Sequence, residues 1–330
     1  MRDTILERLQ SADDYISGQQ LSEDFGVSRT AVWKAVKRLK SDGYEIDSVP
    51  NRGYRLVSCP DIFSAQQIQR ALRTKELAKK VVFFETTGST NNDCRQLMEQ
   101  GEKSILVAAA NQSAGKGRRG RQWMSQENAS VSFSLGLRPG LEASRISMLT
   151  LVMALAVQRA IKKQTGLESL IKWPNDLIID SRKICGILTE MNMEMEYVSS
   201  VVVGVGINVS QTEFPEEIRD KAASLKICLG KTGKQDPVSR AALTAECVNC
   251  FEELYESVVK AGNLSPIRKE YEEKLVNVGR YVSVSDPAGS FVGTARGIND
   301  KGMLIVETED NAIKEVYAGE VSVRGVYGYV

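Results

Sequence analysis

Residues 115–123 read GKGRRGRQW, and that composition leaves the backbone little choice. Gly115, Gly117 and Gly120 are interleaved with Lys116, Arg118, Arg119 and Arg121, and Trp123 follows. Glycine inside a helix costs up to ~1 kcal/mol relative to alanine, and crowded cations repel unless water or an anion lies between them. The run therefore has to be a loop, and the segments around it must be the framework that holds it. A phosphate-binding P-loop ends in Gly-Lys-Ser/Thr, so that lysine and hydroxyl serve the phosphates and Mg2+. Here Gly120 is followed by Arg121 and Gln122, which excludes that motif.

The chain has 330 residues, room for two or three domains. Its net charge of +1 draws it as a whole to neither nucleic acid nor membrane, so any nucleic-acid surface must be local. The charged start, MRDTILERLQ, lacks the apolar core of a signal sequence. The most apolar stretch, Ile146 to Val157, is too short to cross a bilayer, so the expectation is a cytoplasmic protein with no membrane partner. Cys59, Cys94, Cys185 and Cys228 are scattered and suggest no disulfide framework. Cys247-x-x-Cys250 falls in a helical pattern with Leu243, Leu254 and Val258, which marks two small core residues rather than a metal or redox pair. The chain contains no histidine. That removes Ser-His and Cys-His mechanisms and His-ligated metals, leaving charge and positioning, or carboxylate, lysine and cysteine groups.

The first sixty residues follow a helix–turn–helix pattern. Leu21 and Phe25 sit at helical spacing, Gly26-Val27 turns, and Ser28 caps a helix whose buried stripe is Val32, Ala35, Val36 and Leu39. Ser28, Arg29, Thr30, Trp33, Lys34, Lys37 and Arg38 are the candidate DNA contacts there. YEIDSV, the turn Pro50 to Gly53 and YRLV then form a hairpin wing with Arg52 at its tip. From Val27 to Val57 seven Lys/Arg face three Asp/Glu, a local basic patch of the kind phosphate contact requires. The alternative is a winged helix that meets only protein. A useful operator affinity would normally need a dimer on a two-fold site.

After Cys59-Pro60 a helical connector is expected over Ser64 to Lys80. VVFFE, SILVAAANQ, SVSFSLGL and VSSVVVGVGINV read as strands, and residues 86–91 as a polar turn opening a helix. A long apolar helix runs from about Ser144 to Thr165, and IKWPNDLIID pairs with KICGILTEM across Asp180-Ser181-Arg182. The result is an α+β domain with a largely antiparallel or mixed sheet. Gly204-x-Gly206 lacks the third glycine of a dinucleotide fingerprint, since Val209 occupies that place.

Five segments together are specific: Ser89-Thr90-Asn91, Gly115 to Arg121, Lys172-Trp173-Pro174-Asn175-Asp176, Lys183-x-x-Gly186-Ile187-Leu188 and Gly204-x-Gly206-Ile207-Asn208. Their order and spacing resemble those of biotin–protein ligases. With the winged helix in front, the chain resembles the bacterial members that also repress the biotin operon. One departure is visible: Lys116 stands where the loop usually carries arginine, which keeps the charge and loses the planar fork.

The resemblance implies a two-step reaction. Biotin and MgATP give biotinyl-5′-AMP and pyrophosphate, and the acyl group then passes to a lysine of a biotin carboxyl carrier domain of a carboxylase. Biotin's carboxylate is already ionised at neutral pH, so the first step needs no histidine; it needs cations and backbone donors that hold two anions together. By carry-over, Arg118, Lys183 and Lys172 are the catalytic candidates. Ser89, Thr90, Asn91, Gln112, Lys116, Gly117, Arg118, Lys183 and Gly186 are the biotin-binding set. Arg121, Trp123, Asn175, Asp176 and Asn208 are the nucleotide-binding set, with Trp123 stacked on adenine and Asn208 at its edge. Trp173 is expected in the core, Asp176 serves either phosphate or a turn, and no protein ligand for a metal is assigned. The basic loop is then a lid that orders over biotin or its adenylate. Residues 278–330 read as short strands, RYVSVSD, SFVGTARGIND, GMLIVET and IKEVYAGEVSVR, with turns at Pro287-Ala288-Gly289 and Asn299 to Gly302. They resemble the family's SH3-like β-barrel, where Lys314, Arg324 or Gly319-Glu320 could reach nucleotide or acceptor. The divisions expected are 1–62 for the winged helix, 63–277 for the catalytic domain and 278–330 for the barrel. In the family biotinyl-5′-AMP is also the corepressor: it promotes a homodimer that binds operator DNA.

Overall fold

The computed structural model describes residues 1–12, 14–41, 43–58, 61–124, 126–195, 197–233, 238–286, 289–318 and 322–325. Cys59-Pro60, the Pro287-Ala288 turn, Gly319-Glu320 and the side chain of Arg324 lie outside the described residues. The chain forms two compact units, Met1–Ile62 and Phe63–Val330.

The first unit contains α1 (Arg2–Gln10), α2 (Gly18–Phe25), α3 (Arg29–Ser41) and the antiparallel hairpin of β1 (Glu45–Val49) and β2 (Gly53–Ser58). Ser17 Oγ accepts from Gln20 N at 3.0 Å to start α2, Gly26 ends it at φ 62°, and Ser28 Oγ accepts from Ala31 N at 3.2 Å to open α3. Val32, Ala35, Val36 and Leu39 point inward onto Ile5, Leu9 and Leu21, as the helical stripe requires. Gly53 turns the wing at φ +113°, and a Cβ there would lie 2.1 Å from Ile16 O, so only glycine fits.

The second unit is built on a seven-stranded mixed sheet in the order β3-β4-β5-β9-β8-β7-β6. Its strands are β3 (Lys80–Thr87), β4 (Ser104–Gln112), β5 (Ser130–Leu137), β6 (Leu170–Lys172), β7 (Asp176–Ile179), β8 (Arg182–Glu194) and β9 (Tyr197–Asn208). β3 and β4 run parallel, joined across α5 (Thr90–Glu99), and every other neighbouring pair is antiparallel. Period-2 alternation sorts the two faces. Val131, Phe133 and Leu135 of β5 and Val201, Val203 and Val205 of β9 join the main core, beneath α6 (Ser147–Thr165) and α8 (Arg240–Ala261). The alternate positions are Ser130, Ser132, Ser134 and Gly136 on β5, and Gly204, Gly206 and Asn208 on β9. These small residues leave a trough on the face that α5 shares, and the site lies in it.

Two expectations change here. Counted from Ala143, the α6 region is 23 residues long, and its most apolar 18-residue window has mean hydropathy 1.3, enough by length and composition to cross a bilayer, but 78% of that window is buried inside the protein. The connector helix is α4 (Ala65–Ala71) alone, not Ser64 to Lys80. Beyond it, side chains of α8 take the backbone donors that a helix would have used. Asn249 Oδ1 accepts from Arg73 N at 2.7 Å, and the Glu252 carboxylate accepts from Lys75, Glu76 and Leu77 N at 2.6–2.8 Å.

After α7 (Leu225–Lys231), α8 and α9 (Arg268–Lys274) comes a five-stranded antiparallel sheet in the order β13-β12-β11-β10-β14. These are β10 (Tyr281–Asp286), β11 (Gly289–Ile298), β12 (Leu304–Glu307), β13 (Ile313–Val316) and β14 (Ser322–Gly325). IKEVYAGEVSVR is thus two strands, not one. Among the described residues β13 and β14 stand at opposite edges with no pairing between them, so the strands form a small antiparallel sheet without closure into a barrel. Its Val282, Val284, Leu304 and Val306 are buried in the same core as α6 and α8.

Candidate active site and nucleic-acid face

The trough holds two cavities. The narrow one, about 50 Å³, is lined by Ser89, Thr90 and Asn91 at the start of α5, Gln112 at the end of β4, and Lys116, Gly117 and Arg118 of the basic loop. Lys183 and Gly186 of β8 and Gly204 and Gly206 of β9 complete it with Trp123 and Asn175. All nine residues expected to bind biotin are there. The wide cavity, about 340 Å³, is lined by Arg121, Trp123, Asn175, Asp176 and Asn208, the whole expected nucleotide set, together with Lys172. The two cavities share Gly117, Arg118, Trp123, Asn175 and Lys183.

In the narrow cavity the polar groups are fixed from behind. Gln112 Oε1 accepts from Thr90 N at 2.8 Å and from Thr90 Oγ1 at 3.0 Å. Ser134 Oγ lies 2.8 Å from Thr90 Oγ1 and 2.6 Å from Asn91 Oδ1, and Asn91 Nδ2 donates to Glu190 at 2.6 Å. Arg95 holds the other oxygen of Glu190 at 2.9 Å. Glycine at 204 is obligatory, because a Cβ would sit 2.0 Å from Asn91 Oδ1. Glycine at 206 makes room for Trp123, whose Cε2 would be 2.4 Å from a Cβ. Ser134 and Glu190 carry this support and were not singled out by the sequence. Their signal was present as a serine on the small face of β5 and an acid in the strand after Gly186.

The basic loop folds over both cavities as a tight turn. Gly117 N donates to Arg121 O at 2.7 Å, Trp123 N to Gly115 O at 2.9 Å, and the tip is turned by Arg119 at φ 58° and Gly120 at φ 70°. Lys116 Nζ donates to Asn92 Oδ1 at 2.6 Å. Arg118 reaches inward and donates to Asn175 Oδ1 at 3.0 Å and Ala318 O at 2.8 Å. Burial pushes its pKa down, with Arg119 and Arg121 adding to the effect and Asp176 opposing it; an arginine so placed is still a cation at neutral pH. Lys183 Nζ pairs with Asp176 Oδ1 at 2.6 Å and stands 5.6 Å from the centre of the Trp123 ring. Asp176 opens β7 directly after the turn at 173–175.

The wide cavity gathers Arg118, Arg119, Arg121, Lys172, Lys183 and Lys221 against a single carboxylate, Asp176, among its described lining. Such a surplus of cations calls for a polyanion. Lys172 is 5% exposed. Asn208 lines the cavity with its amide engaged: Nδ2 donates to Ala223 O at 3.0 Å, and Oδ1 accepts from Gln211 at 3.3 Å. Trp173 is core, as expected, with Nε1 donating to Gly302 O at 3.0 Å. Phe214, Ile218, Lys221 and Ala222 also line this cavity, and sequence reading missed them. Their segment runs beside Lys183, whose N donates to Lys221 O at 2.7 Å. Only the i, i+4 pair Phe214 and Ile218 in a polar stretch could have marked it. Among the described residues no group of acids and cysteines is arranged to hold a metal. One carboxylate beside a polyanion pocket suits Mg2+ that arrives on a triphosphate.

In the first unit, Arg29, Thr30, Trp33 and Lys37 line a groove of about 970 Å³ with Ser48 to Asn51 of the wing. Ser28, Lys34 and Arg38 are exposed on or beside α3. Arg52 donates to Asp14 at 3.3 Å and lies 4.5 Å over the Tyr15 ring.

Two cavities that meet at a cluster of cations, one fitted for a neutral polar head and one for a polyanion, define a nucleotide-using ligase that activates a carboxylic acid. The biotin/lipoate A/B protein ligase family matches residues 83–208, a helix–turn–helix domain matches 2–55, and the biotin protein ligase C-terminal domain matches 278–324. The bifunctional ligase/repressor BirA of Bacillus subtilis is 36% identical over 97% of this chain and 99% of its own length. The bifunctional ligase/repressor BirA of Escherichia coli K12 is 29% identical, covering 94% of each chain. The Aquifex aeolicus biotin protein ligase in complex with biotin and ATP superimposes with a TM-score of 0.64 at 30% identity, over 75% of this chain and 99% of that one. The chain belongs to the biotin–protein ligases, in the branch that carries an N-terminal helix–turn–helix.

Proposed function

We propose that this protein forms biotinyl-5′-AMP from biotin and MgATP, transfers biotin to a lysine of a carboxyl carrier domain, and represses biotin genes with the adenylate as corepressor. The observation that carries the chemistry is that the two cavities share Arg118, Asn175 and Lys183. An acid in one and a triphosphate in the other would meet at those residues.

Biotin's ureido ring lies against Ser89, Thr90 and Gln112, and its valeryl chain runs under Lys116 and Gly117. The carboxylate oxygen attacks the α-phosphorus, and the bond to pyrophosphate breaks. Arg118 and Lys183 hold the two anions against their repulsion, and Lys172 and Arg121 serve the phosphates. Mg2+, carried on the triphosphate beside Asp176 and Asn175, offsets charge as pyrophosphate departs. In the second step the acceptor's amine attacks the acyl carbon, AMP leaves and the amine gives up a proton. Trp123 stacks on adenine, and Asn208 and the segment at Phe214 and Ile218 enclose it.

The partners are a biotin carboxyl carrier domain, operator DNA through Arg29, Thr30, Trp33, Lys34, Lys37, Arg38 and Arg52, and a second copy of the chain when the adenylate is bound. We assign the protein to the cytoplasm, treat residues 1–62, 63–277 and 278–330 as its functional divisions, and take the last as an SH3-like barrel opened between its edge strands. Biotin-dependent ATP–pyrophosphate exchange, with lipoate and octanoate as controls, tests the ligase. Exchange with biotin alone is expected; biotin binding without exchange would leave only a biotin-sensing regulator.

A further inference from the structure

Trp33 is the anomaly on the basic face of the first unit. Among the described residues its side chain belongs to no core cluster, and it is 51% exposed in the second turn of α3. Arg29 and Lys37 lie one helical turn to either side of it, and Lys37 Nζ stands 5.2 Å from the ring centre. An indole on a helix that otherwise offers cations and hydroxyls leaves about half its surface to solvent, with only the Lys37 ammonium over its ring among the described contacts.

The surroundings say what would cover it. The groove beside it is walled by α3 and by the wing at Pro50 and Asn51, and its charge is positive. A positive groove of that kind takes a polyanion, and a helix of this type enters the major groove of a duplex with its first turns toward the base edges. Trp33 is the fifth residue of α3, within the first turns that a recognition helix presents to base edges. The apolar group that base edges present in the major groove is the C5-methyl of thymine.

We infer that Trp33 reads a thymine methyl in each operator half-site, so that the protein's sequence preference includes an apolar contact set between the cationic contacts of Arg29 and Lys37. This rests on the repressor reading above. Arg29 and Lys37 supply attraction to any duplex, whereas the indole discriminates, because cytosine in the same position offers a polar amine and no methyl.

The test uses the full chain with biotin and MgATP. Duplexes are first selected from a randomised pool, and each thymine of the selected site is then replaced singly by uracil. Uracil keeps every hydrogen-bonding group and lacks only the methyl. The expected result is one thymine per half-site whose demethylation weakens wild-type binding about threefold to tenfold, the worth of one buried methyl-sized contact. Trp33→Gln should bind the thymine and uracil duplexes equally, and Trp33→Phe should keep the preference. If no thymine is sensitive, or if Trp33→Gln remains as sensitive as wild type, the assignment is wrong while DNA binding stands. If no duplex is enriched at all, the repressor reading fails and the assignment fails with it.

Discussion

Lys183 Nζ of β8 and Asp176 Oδ1 at the start of β7 form a 2.6 Å ion pair between the two strands, at the place where the two cavities meet. A lysine held there by a carboxylate is ready to exchange that partner for a substrate oxygen. Lys183→Ala should therefore lower the rate of adenylate formation about 10²- to 10³-fold, the usual loss on removing one donor from a developing anion. Asp176→Asn frees the lysine and removes a negative charge from the nucleotide side, so its main effect should be on KM for MgATP. Pyrophosphate exchange with each substrate varied separates the two. The same change in kcat and KM for both variants would sink this division of roles.

Trp123 makes a second prediction, because it stands in the wall of both cavities. Its Nε1 is buried without a hydrogen-bond partner among the described residues, at a cost of about 1–3 kcal/mol that a ligand acceptor or a ring shift would relieve. Ligand binding should thus change the environment of this indole. The tryptophan emission of the protein is expected to shift on adding biotin and MgATP, and the shift should vanish in Trp123→Phe. Gly206→Ala puts a methyl 2.4 Å from the ring and should displace it, so ligand affinity falls at least tenfold while far-ultraviolet dichroism stays native. An unaltered affinity in Gly206→Ala would mean that the ring does not form the wall.

These residues also show what the sequence could and could not convey. The alternation in SVSFSLGL and VVVGVGIN already contained the trough, since period 2 puts serine and glycine on one face and the large apolar residues on the other. The short motifs bring every expected ligand residue to the wall of one of two adjoining cavities, because most of them lie near strand ends, at the start of α5 or in the glycine-rich loop, where local rules are strong. The connector helix was over-extended, because Glu252 and Asn249, nearly two hundred residues away, take the backbone donors of 73–77, and no local pattern encodes that. The segment at Phe214 to Ala222 was missed for a similar reason: it is held by backbone bonds to Lys183 rather than by a period of its own. The C-terminal strands were legible as strands. Which edges pair was not, because closure depends on twist and contacts summed over the whole sheet.

Lys116, the departure from the usual arginine, ties the loop to Asn92 at 2.6 Å in an exposed position. A bond of this kind contributes about 0.5–1.5 kcal/mol, so its loss should shorten the lifetime of bound biotinyl-5′-AMP by about threefold to tenfold. Lys116→Ala and Asn92→Ala should each release the adenylate faster, and the double variant no faster than either alone. Release measured by stopped flow against an adenylate trap checks this. Additive effects of the two substitutions would show that the lysine acts on the ligand directly.

The last prediction concerns the framework behind the sheet. Glu246 of α8 has a side chain only 4% exposed, and it pairs with Arg73 at 2.6 Å and Lys163 of α6 at 2.7 Å. Burial alone would raise its pKa, but the hydrogen bonds from Lys163 and Arg73 win and hold it below the ordinary value of 4.5. A carboxylate with a lowered folded pKa contributes its stability in full above 4.5; the contribution declines as pH falls from there through the folded value and is gone below it. Glu246→Gln should cost about 2 kcal/mol at pH 7, a few degrees in the unfolding temperature of the second unit. The difference between wild type and variant should shrink below pH 4.5 and close in stronger acid. Thermal unfolding of both proteins from pH 7 to pH 3 reads this directly. A gap that stays constant across that range would show that the residue supports the helices by shape and hydrogen bonding, with its charge contributing nothing.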